Sequence, residues 1–225
     1  MPTCHPLVSG KLDDAYQKLK TLVLTNQLRP DEHLQIGPLA ERLGVGLTPM
    51  REALIRLAAE DLISMHPKRG FFAKVLTVSD LHELHRFAYS LLRSSLEWGT
   101  ERFEAKDVKA EIVRKLSHLN DGQHILAAAQ AIEHLYEEVA CLGKNAEMRK
   151  ILRKYNDRTR VTRLIYIEQV EQLQGTIDFV FAVMDDLKDD DRGSALAKLQ
   201  TRFETKMTHL PLLVKEATFN VFAEQ

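Results

Sequence analysis

Between Gly37 and Val75 the apolar period of the chain passes from that of two short helices to that of two short strands, a succession that few folds accommodate. Gly37–Leu43 carries Leu39, Ala40 and Leu43 at helical spacing, and Gly44 behind it suits the left-handed backbone that ends a helix. Leu47-Thr48-Pro49 opens a second helix, with Thr48 as N-cap and Pro49 at the first helical position, running to about Glu60. The period then drops to that of strand. Leu62–His66 and Phe71–Val75 are short β-capable runs around Pro67-Lys68-Arg69-Gly70, which reads as the turn of a hairpin. Ahead of the pair, Asp13–Asn26 places Ala15, Leu19, Leu22 and Val23 at spacings of three and four, until Leu28-Arg29-Pro30-Asp31 stops that helix.

Three helices followed by a basic hairpin are the plan of a winged helix-turn-helix, whose last helix enters the major groove of DNA. Leu39, Ala40, Leu43 and Val45 are expected to pack on Leu54, Leu57 and the first helix. Arg51, on the opposite face from Leu54 and Leu57, is then free to fork toward guanine O6/N7 or a phosphate. Thr48 and the open amides at the helix start suit phosphate contact. Arg56 is a further candidate, with Glu52 four residues before it as a competing partner. Lys68 and Arg69, at the hairpin tip before Gly70, are placed for the neighbouring minor groove or backbone. The net charge of −1 does not oppose this. Up to Val75 the chain holds 10 Lys+Arg against 8 Asp+Glu, and the remainder holds 21 against 24.

From Val78 onward only helical patterning is present. Ser79 is expected to cap a helix to about Glu104, and Asp107 to open another to about Leu119. The Asn120-Asp121-Gly122 turn leads to Gln123–Leu142. After Gly143-Lys144-Asn145 a long stretch reaches about Gln174, where Gly175 is a candidate break; Ile177–Leu187 and Ser194–Phe222 follow, joined by the acidic run Asp185–Asp191 as a solvated turn. The expected fold is mainly α: a winged helix-turn-helix over residues 1–76 and an antiparallel all-helical bundle over 77–225, the boundary falling near 76–79.

Cys4 and Cys141 lack CxxC spacing and read as reduced thiols. No apolar run approaches the ~18 residues of a membrane span, and MPTCHPLVSGK lacks the build of a signal peptide, so the expected location is the cytoplasm. There is no paired Glu-x-x-His, nucleophile motif or phosphate loop, so no enzyme is expected. His82 and His85, and His134 with Glu138, have spacings that could hold a metal, yet two ligands on one helix are a weak signal. Arg149, Arg153, Lys154, Arg158, Arg160 and Arg163 read as a solvated basic face, Trp98 and the phenylalanines as core, and Cys141 as a thiol without a basic neighbour.

The residues Leu39-Ala40-Glu41-Arg42-Leu43-Gly44-Val45, Thr48-Pro49-x-Arg51-Glu52-Ala53-Leu54, Arg56-Leu57 and Arg69-Gly70 resemble the signature of GntR-type transcription regulators over roughly residues 13–75. The chain departs from that pattern in three places. Gly46-Leu47 stands where the family usually has Ser-Arg, so a familiar operator does not carry over, and Leu47 is positioned to meet a thymine methyl instead. Asp61 and Asp31 stand where glycines are usual.

Arg93-Ser94-Ser95-Leu96-Glu97 and Gly143-Lys144-Asn145 are similar to the FadR-like branch, with its all-helical (FCD-type) effector domain. Many members of that branch hold a divalent metal with one Asp and three His. Those positions fall on Ile132, Tyr136, Val180 and Arg202, none of them a hard-metal ligand, so no metal or cofactor is expected. Ile132, Tyr136 and Val180 would wall an apolar pocket with Arg93 and Arg202 as cationic donors, which suits a small organic carboxylate. Glu97 is a candidate partner for a buried Arg, and Arg202 on a solvated face remains the alternative. The resemblance implies a homodimer on an inverted-repeat operator, acting as a repressor released by its effector. The alternative is a constitutive DNA-binding dimer whose helical domain binds no ligand.

Overall fold

Leu19, Leu54 and Leu57 are wholly buried because two helices turn their apolar stripes onto each other. In the computed structural model, which describes residues 11–103, 109, 112, 113 and 121–219, these are α1 (Lys11–Leu24) and the later α3 (Leu47–Ala59). Between them lies α2 (Ile36–Leu43), closed by Gly44 at φ 64, whose N–H donates to the carbonyls of Ala40 and Glu41. The left-handed φ is why glycine stands there. β1 (Ile63–His66) and β2 (Gly70–Ala73) pair antiparallel, Ile63 opposite Ala73 and His66 opposite Gly70. The chain entering α2 adds a third segment along β2: Leu34 N–H donates to Phe71 O at 2.8 Å and Ala73 N–H to Glu32 O at 2.9 Å. Sequence reading missed that segment. The core of this unit joins Leu19, Leu34, Met50, Leu54, Leu57 and Ile63.

The second unit is helical throughout its described residues. Its elements are α4 (Val78–Trp98), α5 (Asp121–Leu142), α6 (Ala146–Arg158), α7 (Arg160–Tyr166), a π turn (Ile167–Glu171), α8 (Gln172–Lys188) and α9 (Arg192–Phe219). α5 is the central rod, packed against α4, α6, α7 and α8. Its Ala128, Ala129, Ala131 and Ala140 let neighbours approach closely, while Ile132, Leu135 and Val139 fill the spaces between. At the ends of α4 and α5, Gly143 approaches so near that a Cβ would lie 3.2 Å from Ser95 Oγ. Arg192 at the start of α9 donates to the carbonyls of Leu96, Gly99 and Glu101, satisfying groups a helix end leaves open.

The chain divides into two compact units, one running to Leu76 and the other spanning Thr77–Ala217. Several local expectations are corrected. Gly46, not Thr48, is the N-cap of α3, which puts Pro49 at the third helical position. Thr77, not Ser79, caps α4, its side chain accepting from Asp80 N–H. α4 stops at Trp98 rather than Glu104. The expected helix Asp107–Leu119 lies largely outside the described residues, as do Cys4 and Asn120. Asp121 belongs to α5 instead of a turn. The stretch from Ala146 breaks at Thr159 and again at Gln172, whose φ is 66, and Gly175 sits inside α8.

Gly99 sets a tight approach in the second unit: a Cβ there would lie 2.5 Å from Leu142 O and press on Ser95 O as well. Both obstacles are backbone, so relief requires moving a helix end. Gly99→Ala is expected to cost about 1–3 kcal/mol, seen as a melting temperature lower by roughly 3–10 °C. An unchanged melting curve would mean that this junction yields freely.

Candidate nucleic-acid interface

Along α3 the buried residues Met50, Ala53, Leu54 and Leu57 face inward, so the opposite stripe is bound to face solvent. That stripe is Leu47, Arg51 and Ile55, one turn apart each, with Thr48 beside them. Leu47 is 63% and Ile55 51% exposed. Arg51 is exposed as expected and makes no hydrogen bond or ion pair among the described residues. No side chain caps the helix start at Gly46. Arg51 and Ile55 also line a groove of about 600 Å³ toward the hairpin, together with His33, Ile36, Met65 and Phe71. Met65 is 60% exposed. Ile55 and Met65 were missed in sequence reading, although the spacing of four from Arg51 placed Ile55 on its face.

The hairpin tip is built by its turn. Arg69 N–H donates to His66 O at 3.1 Å, with Pro67 and then Lys68 at φ 64 between them. A proline followed by a positive φ is a type II pattern. Lys68 and Arg69 are exposed there, the Arg69 guanidinium 5.1 Å from the Phe72 ring centre. Gly70, at φ 93, passes so close to His33 that a Cβ would sit 3.1 Å from its Nε2.

Arg56 is elsewhere. Its guanidinium lies 3.7 Å from the ring centre of buried Tyr16 and pairs at 3.4 Å with both Asp13 and Glu60, so the expected Glu52 partnership is not made. Tyr16 donates to Glu60 at 2.7 Å, and Lys20 donates to Tyr16 at 3.0 Å. This network fastens α1 to the end of α3. Arg56 therefore leaves the set of DNA-facing candidates, because its charge is already engaged on the bracing side.

In the helical unit Ile132, Tyr136, Val180 and Arg202 are all buried. Arg202 pairs with Glu171 and lies 4.3 Å from the Phe179 ring centre, and the two help line a pocket of about 330 Å³ with Tyr166 and Thr201. Glu171 also accepts from Thr176 at 2.7 Å. Tyr136 stacks on Phe203 at 5.7 Å. Arg93 does not join them: it is exposed and bound to Glu97 at 2.7 Å, one turn along α4.

The basic stretch is divided in a way its spacing did not reveal. Arg163 is buried and donates to Glu133 at 2.5 Å, to Asn156 O at 3.2 Å and to Thr159 Oγ1 at 2.9 Å. Arg160 makes a two-pronged pair with the same Glu133 carboxylate. Arg153 pairs with Glu137, while Arg149 reaches Cys141 Sγ at 3.2 Å, so the thiol does have a basic neighbour. Trp98 is 78% exposed, and Phe87 and Phe219 are exposed too, against their expected place in the core. His82 faces solvent while His85 is buried, so their spacing brings no shared site.

The exposed arginines have separable duties. Arg56→Ala is expected to lower the melting temperature by about 1–4 °C, the worth of ~0.5–1 kcal/mol for an exposed cation–π contact. Arg51→Ala, which ties nothing together, should leave the curve in place.

Comparison with known proteins adds sequence and fold likenesses. Residues 11–73 match the family model described as bacterial regulatory proteins, gntR family. The Nta operon transcriptional regulator of Aminobacter aminovorans is 26% identical over 187 residues, 81% of this chain and 88% of that protein. Among solved structures, McbR/YncC of E. coli aligns with a TM-score of 0.68 at 20% identity, over 91% of this chain and 99% of that one. A putative GntR transcriptional regulator of Rhodococcus sp. RHA1 aligns at 0.73 and 17%, over 90% and 98%. At such identities the structural likenesses bear on the fold alone.

Proposed function

We propose that the chain, whose residues 11–73 match the gntR family model, is a DNA-binding transcriptional regulator of that family, that it reads an inverted-repeat operator as a homodimer and that it yields it to a small organic carboxylate. The observation that carries the DNA half is the exposed stripe Leu47–Arg51–Ile55 on α3. Arg51 supplies a fork for guanine, and the apolar residues above and below it suit thymine methyls. Thr48 and the open helix start take a phosphate, while Lys68 and Arg69, presented by Gly70, hold the neighbouring backbone or minor groove. Two copies related by a two-fold axis turn one such reading head into a pair of half-site contacts.

The effector half rests on Arg202, a buried guanidinium set among Tyr136, Tyr166 and Phe179. Apolar and aromatic walls with a charged fork suit a carboxylate with a carbon body. The protein acts as a repressor because a dimer seated on its operator excludes other proteins; ligand and DNA then weaken each other reciprocally. Its place of work is the cytoplasm, and no described helix is long and apolar enough to cross a membrane.

Duplexes selected from a random pool by the purified protein should contain a two-fold repeat. On the selected duplex, Arg51→Ala is expected to cost about 1–3 kcal/mol and to relax preference at one base pair per half-site. Lys68→Ala should weaken all sequences alike and reduce the salt slope by about 1. Unchanged binding in both variants would sink the reading of α3 and the hairpin as the interface.

A further inference from the structure

Two polar side chains in the core of the helical unit have no hydrogen-bonding or ionic partner among the described residues. His85 is 0% exposed, and neither ring nitrogen has a hydrogen-bond partner among the described residues. Its ring stands edge-on to Tyr155 at 5.5 Å and to Phe203 at 6.2 Å. Lys206 is 7% exposed, and its ammonium makes no ion pair or hydrogen bond among the described residues; it lies 5.7 Å from the ring centre of Tyr166. Two guanidiniums share these rings. Arg163 is 5.9 Å from Tyr155 and Arg202 is 5.8 Å from Tyr166. His85 and Arg163 thus meet at one tyrosine, Lys206 and Arg202 at another.

The charges around this cluster do not balance. Arg160 and Arg163 both rely on Glu133, Arg202 uses Glu171, and Lys206 has neither. Arg160, Arg163 and Arg202 face only the carboxylates Glu133 and Glu171, so one positive charge is in excess, and protonating Lys206 would make it two. An uncompensated buried charge is costly, and an apolar residue in its place would be more stable. An interior that keeps both this excess and an unpartnered imidazole is complementary to something that is not part of the chain.

We propose that His85 and Lys206, beside the Glu133-bound Arg163, form an internal anion site that takes a small organic dianion. The site rests on the reading that the helical unit holds an effector, and it specifies that effector's charge. His85 supplies a neutral ring, with one nitrogen to donate and one to accept. Burial, together with Lys206, Arg163 and His82, holds its pKa well below the usual histidine range. Burial and the nearby Arg163 and Arg202 hold Lys206 well below the usual lysine range, against the pull of Glu171 and Glu133. The groups facing it are His85 from α4, Glu133 from α5, Arg163 and Tyr166 from α7, Glu171 from the π turn and Arg202 on α9 itself. An arriving dianion restores the ammonium, so binding draws a proton from solvent. Between the depressed pKa of the free protein and the restored pKa of the complex, affinity falls as pH rises, by about tenfold per pH unit.

The experiment compares thermal unfolding of the full-length protein, Lys206→Met and His85→Phe, each alone and with succinate, glycerol 3-phosphate or benzoate. Without ligand, both variants should melt about 2–4 °C higher than the parent, because each removes an unpartnered buried polar group. A lower melting temperature for Lys206→Met would show the ammonium to be structural and overturn the site. Succinate or glycerol 3-phosphate should stabilise the parent and not Lys206→Met, and whichever acts identifies the second acidic group. Stabilisation by benzoate alone would overturn the dianion site while leaving the carboxylate-effector reading standing. Failure of all three acids would overturn both. Calorimetry of the active acid in buffers of different ionisation heat should report uptake of about one proton, and no uptake would overturn the protonation of Lys206.

Discussion

Glu133 is the fixed charge on which the helical unit is organised. It is buried on α5, and an isolated carboxylate there would cost several kcal/mol in lost hydration. Arg160 and Arg163 offset that cost from the first turn of α7, and Asn156 donates to the Glu133 main-chain carbonyl at 3.2 Å. Three residues can converge on one side of α5 only if the chain changes direction between Asn156 and Arg160. The break at Thr159 supplies that change, its hydroxyl donating back to Tyr155 O at 2.8 Å and accepting from Arg163. The course of α7 then determines where Tyr166 and the π turn lie. Glu171, at the end of that turn, repeats the arrangement with Arg202. This second, half-buried pair is in this sense downstream of the first.

The winged unit was legible because its signals are local. Gly44, Pro49 and Gly70 act on their immediate neighbours, and the stripe on α3 follows from its own period. What escaped was the segment at Glu32–Leu34, whose pairing with β2 depends on residues far along the chain and leaves no periodic mark over so short a run. Asp31 and Asp61 are instructive. Both adopt left-handed φ, 61 and 60 respectively, so the glycines usual at these positions serve backbone geometry, and aspartate is among the residues that best tolerate it.

In the helical unit the elements were legible and their inward faces were not. Arg160 and Arg163 look like surface in a sequence because charge is normally solvated, and only Glu133 on another helix makes their burial reasonable. The break at Thr159 also resets the helical phase, so a face extrapolated from Arg149 and Arg153 no longer applies beyond it. Trp98 shows the converse: a large aromatic ring at a helix end, left in solvent because the chain turns away at Gly99. Tyr136 and Arg202 lie together in one buried region, whereas Arg93 lies outside it, since its own helix provides Glu97 one turn away.

The third segment beside β2 bears on the thermodynamics of DNA recognition. A free two-stranded hairpin is marginal in water and would have to surrender its flexibility on each encounter. Here Leu34 and Glu32 hold β2 from its other edge, and His33 stacks on Phe72 at 4.9 Å. The hairpin that presents Lys68 and Arg69 is thereby preorganised. Much of the entropy of ordering it is expended when the domain folds, so less is subtracted from the favourable free energy of its phosphate contacts.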